Sequence, residues 1–565
     1  MFRPRQPSRC VFIVACLAAL SVIDRSSPDS FAQSPGDACV VSTRNGFIRG
    51  LGPGDERPQQ AGPDKGAACV YLGIPYAAPP VGDLRWKPPQ HRAPWAPAIL
   101  NATSLRQCPQ ISAPSLPAGV VSGNEDCLWL NVWTPLRPAG ARLPVLVWFH
   151  TGAFQAANAL NAAAIGERFA QERNVVIVAP NYRLGPFGFL AHGALTLEDP
   201  ARRSSGNYGL LDQRAALVWV RDHIAAFGGD PQNVTIAGTS AGSHSVSLHL
   251  VSPGSGGLFH RAIMQSGSAS FRWPGATEAE AEGLQFAQAL GCPDVRSAAA
   301  CLRSKTMDQV LRALPVDQAK FVEPAAVSWG PIVDGIEIPD QPRALYRLGR
   351  FTRVPTIIGV NGDEGWVYAD RSFPVGLDAV QYEDAVRSEF GSDAPAVLRQ
   401  YPANAFPSAK DALARLTGDA EYVCEARRVA RLMSQTGLNV YFYSFEYTVD
   451  AVMPGRAFHG LEPNLLFGNN FGAPSNHMLA PADLALFDTM STYWRRFAET
   501  GNANAPGEAV RWPTFRVDRY PILSDRYLVL DNVVKAANRL RDRECSFWDR
   551  LHLRSVVGSV PASAR

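Results

Sequence analysis

Charged side chains are sparse in this chain. Asp, Glu, Lys and Arg make up 19% of its 565 residues, the formal net charge is only +3, and no block of consecutive basic residues occurs. These properties disfavour a nucleic-acid-binding protein and a protein that binds an acidic membrane surface. Hydrophobic residues reach 46% and aromatic residues 10%, which is typical of a globular enzyme with a large core. We therefore expect a small-molecule partner and no nucleic acid.

Metal-ligating motifs, membrane spans and interdomain linkers are also missing. The sequence has no Cys-x-x-Cys pair and no His-Glu-x-x-His pattern, so we expect no metal. No segment after the N-terminal region is long and apolar enough to span a bilayer, so we expect no stable membrane span. Proline and glycine are spread along the chain instead of being pooled in a linker, and no internal repeat occurs. Residues 33–565 are therefore predicted to form a single domain.

The N-terminal region has the order of a signal peptide. Three arginines occur within the first nine residues, an apolar stretch runs from Cys10 to Ile23, and a polar segment ends at Ala32. We predict a signal peptide over residues 1–32 and an exported protein that is periplasmic or secreted. Two alternatives stay open, namely an uncleaved anchor and a lipoprotein site at Cys16.

Cysteine usage agrees with export. Eight cysteines remain after the predicted leader, and an even number in an exported chain favours disulfides. Buried free thiols are the alternative, and the sequence alone does not give the connectivity. The eight residues are Cys39, Cys69, Cys108, Cys127, Cys292, Cys301, Cys424 and Cys545.

Apolar runs of strand length alternate with helical stretches, which is the pattern of an α/β protein. One helix is predicted to be capped by Asp212 and to stop at Gly228. A second is predicted over residues 484–500 and ends at Gly501. The strand-like runs are Leu143 to Phe149, Val175 to Ala179, Val234 to Ala237, Thr356 to Val360 and Val440 to Phe445.

The pentapeptide Gly238-Thr239-Ser240-Ala241-Gly242 follows one of these strands and precedes a helix-compatible stretch. Small residues flank Ser240 because the backbone of a nucleophile elbow turns from strand to helix within a few residues. We therefore predict that Ser240 is the nucleophile of a serine hydrolase.

A serine esterase needs N–H donors for the negative oxygen of its tetrahedral intermediate. The segment His150 to Phe154 follows a predicted strand, and its small residues would let backbone N–H groups approach that oxygen. The N–H of Ala241, at the start of the helix after Ser240, would approach from the other side. An ordinary strand-end turn is the alternative for residues 150–154.

The serine also needs a base and an acid, and in α/β-hydrolases the acid follows the serine and the histidine comes last. Three histidines fit this order, and His459 is the best candidate because it lies in a glycine-flanked loop. His244, four residues past Ser240, is predicted to be carried away from the serine hydroxyl by its helix. Two adjacent carboxylates follow a predicted strand and compete as the acid, Asp363 and Glu364. The three histidines are His459, His477 and His552.

The residues described so far, with further stretches, resemble the type-B carboxylesterase and cholinesterase family from about Cys39 to Trp548. This resemblance implies an α/β-hydrolase fold, with a central, mostly parallel sheet flanked by helices and long insertions that form a gorge over the active site. The further stretches are Tyr71 to Tyr76, Pro79 to Arg85, Glu125 to Val132, Asn181 to Gly185, Phe227 to Pro231 and Gln265 to Gly267.

The resemblance also implies roles for individual residues. It selects Glu364 over Asp363 as the acid, beside Ser240 and His459. It implies an Arg85 to Glu125 ion pair and a supporting role for Ser266. It implies Gly152, Ala153 and Ala241 as oxyanion donors and Trp273, Val327 and Val367 in the substrate pocket. The implied disulfides are Cys108 with Cys127, Cys292 with Cys301, and Cys424 with Cys545, which leaves Cys39 with Cys69.

The sequence departs from the family pattern at two positions beside the expected chemistry. Thr239 stands where glutamate is usual, and Thr151 stands where the first glycine of the oxyanion loop is usual. The segment between Cys108 and Cys127 also has no aromatic residue that could bind a quaternary ammonium group. A cholinesterase is therefore disfavoured, and small residues at Ala325 and Val327 suggest a roomier acyl side.

The predicted activity is hydrolysis of small-to-medium, non-choline carboxylic esters through an acyl-enzyme, without a cofactor. Carbamate or lipid-ester hydrolysis by the same residues is one alternative. A non-catalytic binding protein with the same fold is another, although the intact candidate triad disfavours it. The sequence gives no oligomeric state.

Overall fold

A computed structural model describes residues 39–56, 68–111, 119–136, 140–160, 166–314, 329–472, 474–506, 510–517 and 524–558. The predicted signal peptide, residues 1–32, lies outside these ranges. The strands of the described chain, in sequence order, are β1 (Val40–Thr43), β2 (Gly46–Arg49), β3 (Ala68–Pro75), β4 (Ile99–Asn101), β5 (Gln110–Ile111), β6 (Val121–Ser122), β7 (Trp129–Pro135), β8 (Leu143–Phe149), β9 (Val176–Pro180), β10 (Gly229–Thr239), β11 (Arg261–Gln265), β12 (Thr356–Asn361), β13 (Val440–Phe445), β14 (Arg526–Leu530) and β15 (Lys535–Asn538).

Helices connect and flank these strands. A short π-helix over Asp419–Val423 precedes α14. In sequence order the α-helices are α1 (Glu167–Arg173), α2 (Gly185–Phe189), α3 (Gly193–Leu197), α4 (Tyr208–His223), α5 (Ala241–Val251), α6 (Ala276–Ala289), α7 (Ala298–Arg303), α8 (Met307–Arg312), α9 (Pro342–Arg347), α10 (Trp366–Ser372), α11 (Ala379–Phe390), α12 (Ala394–Gln400), α13 (Ala409–Gly418), α14 (Cys424–Ser434), α15 (Glu462–Phe467), α16 (Pro481–Thr500) and α17 (Asp542–Gly558).

The central layer of the described chain is a ten-stranded mixed sheet with the order β15-β14-β13-β12-β11-β10-β8-β9-β7-β3. The pairs from β14 to β9 along this order are parallel, and the antiparallel pairs lie toward its two ends. Strands such as β8 and β12 are buried along nearly their whole length. Their near-continuous apolar sequences are typical of parallel strands covered on both faces, because alternation is lost when neither face meets water.

The sheet brings the candidate residues to one edge. β10, β11 and β12 are neighbouring parallel strands, so their carboxyl ends meet at the same side of the sheet. Ser240 directly follows β10, Ser266 directly follows β11, and Glu364 comes shortly after β12. The loop with His459 reaches this edge through a bridge between Phe458 and Asp363. Residues far apart in the sequence are therefore adjacent at one end of the sheet.

The predicted strands and the helix over residues 484–500 are confirmed, the helix starting three residues earlier and ending at Gly501 with φ 75°. The predicted cap at Asp212 is wrong. Helix α4 begins at Tyr208, and Asp212 lies buried inside it, where its carboxylate forms an ion pair with Arg183 at 2.7 Å. The carboxylate of Asp212 therefore neutralises a buried guanidinium instead of capping a helix.

Four disulfides join Cys39 to Cys69, Cys108 to Cys127, Cys292 to Cys301 and Cys424 to Cys545. The last three are the pairs that the sequence resemblance implies, and the first is the pair that was left by elimination. The implied ion pair is also present, with Arg85 Nη2 lying 2.5 Å from Glu125 Oε1. In the part of the chain that the structure describes, no helix has the length and apolar character of a membrane span.

Candidate active site

Ser240 lies at a strained turn between β10 and α5. Its φ is 56° and its ψ is −123°, a conformation that non-glycine residues rarely adopt. The neighbouring glycines make the turn possible, because a Cβ on Gly242 would lie 2.0 Å from the carbonyl oxygen of Phe149 and one on Gly238 would lie 2.7 Å from it. The end of β8 therefore packs directly against the elbow.

Glu364 and His459 are in contact. Glu364 Oε2 lies 2.6 Å from His459 Nδ1, and Glu364 Oε1 accepts a hydrogen bond from the backbone N–H of Asn361 at 2.7 Å. Glu364 is fully buried, and His459 Nε2 is buried with no hydrogen-bond partner among the described residues. A carboxylate hydrogen-bonded to Nδ1 keeps the proton of the neutral imidazole on that nitrogen. Nε2 is then unprotonated and can accept a proton.

The competing carboxylate, Asp363, has other partners. Its Oδ2 accepts a hydrogen bond from the backbone N–H of Ala457 at 3.3 Å, and its Oδ1 lies 3.5 Å from Arg456 Nη1. Asp363 thus holds the loop that carries His459, whereas Glu364 touches the imidazole itself.

The other two histidines that fit the sequence order lie elsewhere. His477 Nε2 lies 2.9 Å from Asp483 Oδ2 at the start of α16, where Asp483 Oδ2 also accepts a hydrogen bond from the backbone N–H of Ala480. His552 is in α17, and its side chain lies outside the described residues.

A second buried carboxylate, Glu462, lies beside Glu364 and was missed from the sequence. Glu462 Oε2 accepts a hydrogen bond from Asn361 Nδ2 at 2.6 Å, and Glu462 Oε1 accepts one from the Ser266 hydroxyl at 3.2 Å. Burial, and next the negative charge of Glu364, raise the pKa of Glu462 to about 7. The signal was available, because Glu462 follows His459 by three residues and opens α15.

The segment after β8 has the backbone of a tight loop. Gly152 has φ 108° and Ala153 has φ 52°. The carbonyl oxygen of Gly152 accepts hydrogen bonds from the N–H groups of Gln155 and Ala156, and a Cβ on Gly152 would lie 2.1 Å from the oxygen of Ala156. Only glycine fits there. Ala241 is the first residue of α5, so its N–H belongs to the helix turn that has no intrahelical acceptor.

Three aromatic rings pack together in a group that we call the aromatic wall and define by Phe154, Phe271 and Trp273. The Trp273 ring centroid lies 4.7 Å from that of Phe271 and 6.3 Å from that of Phe154 in the loop after β8. Trp273 is buried. Of the other two predicted pocket residues, Val367 is half-buried at the start of α10. Val327 lies outside the described residues.

Two tyrosines cover the His459 ring on another side. The Tyr422 ring lies 4.7 Å and the Tyr368 ring 5.5 Å from the imidazole, centroid to centroid. The Tyr422 hydroxyl donates to the Tyr368 hydroxyl at 2.6 Å, which ties the two rings together. Tyr422 comes from the π-helix, a conformation often found at functional sites.

The arrangement offers a strained serine, an imidazole on a buried carboxylate, a loop of small residues and an apolar wall. Among the residues that the structure describes, no group of three His, Cys, Asp or Glu side chains could hold a metal ion.

The chain matches a protein family described as the Carboxylesterase family over residues 37–548. Together with the mostly parallel ten-stranded sheet in the described chain, this match confirms the predicted α/β-hydrolase fold.

Proposed function

Because the chain belongs to the carboxylesterase family and is therefore a serine carboxylesterase, we propose that Ser240, His459 and Glu364 are its catalytic triad. The observation that carries this proposal is the 2.6 Å contact between Glu364 Oε2 and His459 Nδ1. It supports an imidazole held in the tautomer that a general base requires.

In the proposed reaction His459 Nε2 takes the proton of the Ser240 hydroxyl as the serine oxygen attacks the ester carbonyl. The imidazolium that results is stabilised by Glu364, whose second oxygen is held by the N–H of Asn361. His459 then gives the proton to the leaving alcohol, and the acyl group stays on Ser240. Water, activated by the same imidazole, releases the acid in the second half of the cycle.

We assign the oxyanion hole to the N–H groups of Gly152, Ala153 and Ala241. The first two belong to the positive-φ loop after β8, and the third is at the positive end of α5. Because such donors are fixed before the reaction, they stabilise the developing negative charge without reorganisation.

We propose small-to-medium esters without a choline group as substrates. Thr239 is buried next to the serine, so no carboxylate stands there to stabilise a cationic alcohol. The residues from 109 to 126 also include no aromatic side chain for a quaternary ammonium group.

We further propose that residues 1–32 are an export signal and that residues 33–565 form the mature enzyme. Four disulfides in the described chain support this proposal, since disulfides persist in oxidising compartments.

The test is a panel of 4-nitrophenyl esters of increasing acyl length, with butyrylthiocholine, carbamate and triglyceride substrates as further arms. We expect hydrolysis of the short and medium esters and little of the choline ester. Ser240→Ala should lower kcat by about five powers of ten or more. Ser268→Ala is the matched control, because Ser268 is also buried and its hydroxyl has no partner among the described residues. Full activity in Ser240→Ala would overturn the proposal.

A further inference from the structure

A cavity of about 510 Å³ lies at the end of the sheet opposite to the proposed triad. Asn439 lines this cavity and directly precedes β13, and its carbonyl oxygen accepts a hydrogen bond from the N–H of Thr356, the first residue of β12. Glu364 comes after the other end of β12, which has 6 residues. A strand of that length spans about 20 Å. The cavity is therefore separate from the site around Ser240 and His459.

Three arginines line this cavity, namely Arg511, Arg516 and Arg526, and all three are exposed. None of their guanidinium groups forms an ion pair or a hydrogen bond within the described part of the chain. None of the described residues that line the cavity is Asp or Glu. Because like charges repel each other, an anion bound among these groups would be stabilised by all three.

The carboxylate of Asp525, the residue before Arg526, is bound elsewhere. It is buried, with Oδ2 lying 2.5 Å from Arg427 Nη2 and Oδ1 lying 3.4 Å from Arg431 Nε. The backbone N–H of Asp525 donates to the carbonyl oxygen of Arg516 at 2.8 Å. The backbone therefore holds Arg516 and Arg526 near each other, while the adjacent negative charge is used by other arginines.

An amide group of the cavity adds a further donor. Asn502 Oδ1 accepts hydrogen bonds from the Tyr441 hydroxyl at 2.9 Å and from the backbone N–H of Asn504 at 3.1 Å. Asn502 Nδ2 donates to no group in the described chain, and Asn502 is exposed. The acceptor of this amide is thus occupied, and its N–H groups are left for a ligand. Donors and positive charge together suit an oxyanion.

The wall of the cavity is held in place before any ligand binds. Trp512 is fully buried, and its Nε1 donates to the carbonyl oxygen of Phe442 at 2.9 Å. The backbone N–H of Phe515 donates to the carbonyl oxygen of Val440 at 2.7 Å. The segment that carries two of the three arginines is therefore fixed to β13, which lowers the cost of ordering the site on binding.

We propose that this cavity binds the phosphate group of a small polar molecule, either inorganic phosphate or a phosphate monoester. The planar fork of an arginine pairs two N–H groups with two phosphate oxygens. A phosphate dianion has more oxygens and more charge than a carboxylate, so it suits three guanidinium groups better. The volume is in the range of small-molecule sites and leaves room for the organic part of an ester.

The test is isothermal titration calorimetry of the purified enzyme in a phosphate-free buffer of low ionic strength. The ligands are inorganic phosphate, glucose 6-phosphate, glucose and acetate. We expect saturable binding at one site per chain, with a Kd of about 1 mM or below, for the phosphate compounds and not for glucose or acetate. Tighter binding of glucose 6-phosphate would identify an ester as the occupant, and equal or tighter binding of inorganic phosphate would identify the free ion.

Variants show whether the binding occurs in this cavity. Arg516→Gln and Arg526→Gln each remove one charged donor, and each should weaken phosphate binding at least tenfold. Arg296→Gln is the matched control. Arg296 is also exposed and without an ion pair to any described residue, but it lies between α6 and α7 and does not line the cavity. Its replacement should change the affinity by no more than about twofold, because solvent and salt screen distant charges.

Weaker or unsaturable binding by the wild type would overturn the inference and leave the three arginines as a solvated basic surface. Equal binding of acetate, or an equal loss of affinity in Arg296→Gln, would overturn it as well. Ester hydrolysis by each variant shows that it is folded, because none of the replaced residues belongs to the proposed active site. Failure of the proposed function is distinguishable, since it would be seen as loss of hydrolysis in the wild type and would leave the titrations unaffected.

Discussion

Glu364 and Glu462 are held by the same residue, Asn361. Its backbone N–H donates to Glu364 Oε1 at 2.7 Å, and its side-chain amide donates to Glu462 Oε2 at 2.6 Å. Two buried carboxylates are thereby fixed close together, and their mutual repulsion contributes to the raised pKa of Glu462. Near and below neutral pH Glu462 takes up a proton, which removes this repulsion.

We expect Glu462→Gln to change how stability depends on pH. The folded-state pKa of about 7 exceeds the ordinary value of 4.5, so protonated Glu462 favours the native state below pH 4.5, and this contribution is lost as pH rises through 7. Glutamine has no carboxyl group to ionise, so the variant does not lose stability in this way as the pH rises. Its free energy of unfolding relative to the wild type should therefore rise between pH 4.5 and 8 by an amount on the order of 3 kcal/mol. Urea unfolding at both pH values measures it, and an equal difference at the two would contradict the assignment.

We expect Glu364→Gln and Asp363→Asn to separate the two adjacent acids. Glutamine cannot stabilise the imidazolium and can hold the wrong tautomer, so kcat should fall by about four powers of ten with little change in KM. Asp363→Asn alters only contacts with Arg456 and Ala457, and we expect kcat to stay within about tenfold. Steady-state kinetics on one ester suffices. The reverse order of effects would move the acid to Asp363.

The strained backbone of Ser240 predicts a stability difference between two inactive variants. Glycine adopts φ 56° and ψ −123° without a Cβ clash, whereas alanine keeps the strain. Ser240→Gly should therefore be more stable than Ser240→Ala by about 1 kcal/mol, after the greater chain entropy of glycine is allowed for. Equilibrium unfolding of the pair is the measurement. Equal stabilities, or a more stable alanine variant, would mean that the elbow stores no strain.

Gly152→Ala tests the oxyanion loop. A Cβ on residue 152, whose φ is 108°, would collide with the carbonyl oxygen of Ala156, so the loop must move. Its N–H groups would then no longer point at the oxyanion. We expect kcat to fall by about two to three powers of ten, comparable to the loss of one oxyanion donor. Gly437→Ala is the control, since Gly437 has φ 81° but nothing within 4 Å of an added Cβ. It should lower stability by about 1 kcal/mol and leave kcat unchanged.

The disulfides should differ in what they contribute to stability. Cys424 and Cys545 are 121 residues apart, whereas Cys292 and Cys301 are only 9 apart. In the chain-entropy account, a bond that closes a longer loop restricts the unfolded chain more. Replacing the first pair by alanines should cost about 2 kcal/mol more than replacing the second. Thermal unfolding of the two double variants checks the order, and a larger loss for the short loop would show that native-state contacts dominate.

The sheet and the elbow could be predicted from the sequence because each leaves a local pattern. Strands such as β8 and β12 are continuous apolar runs, and the elbow needs small residues on both sides of Ser240. The order of serine, acid and histidine then limits the candidates for the remaining roles.

The residues that the sequence did not reveal depend on distant partners. Asp212 has the chemistry of a helix cap, but it lies inside α4 and pairs there with the buried Arg183, 29 residues away in the sequence. Glu462 looks like an ordinary helix start until Asn361 is brought beside it. The sequence predicts that the helix carries the ring of His244 away from the serine hydroxyl. It forms no hydrogen bond with that hydroxyl, yet it packs on aromatic rings that come from after β11.

The disulfide between Cys424 and Cys545 also affects when, during synthesis, the cover over His459 can be fixed. Tyr422, which covers His459, lies two residues before Cys424, and the partner cysteine is 121 residues further along the chain. At a synthesis rate of roughly 5–20 residues per second, on the order of ten seconds separates the emergence of the two cysteines. The cover over the imidazole can therefore be locked only after Cys545 has emerged. A chain truncated before α17 should therefore lack this covalent hold on the segment that covers His459.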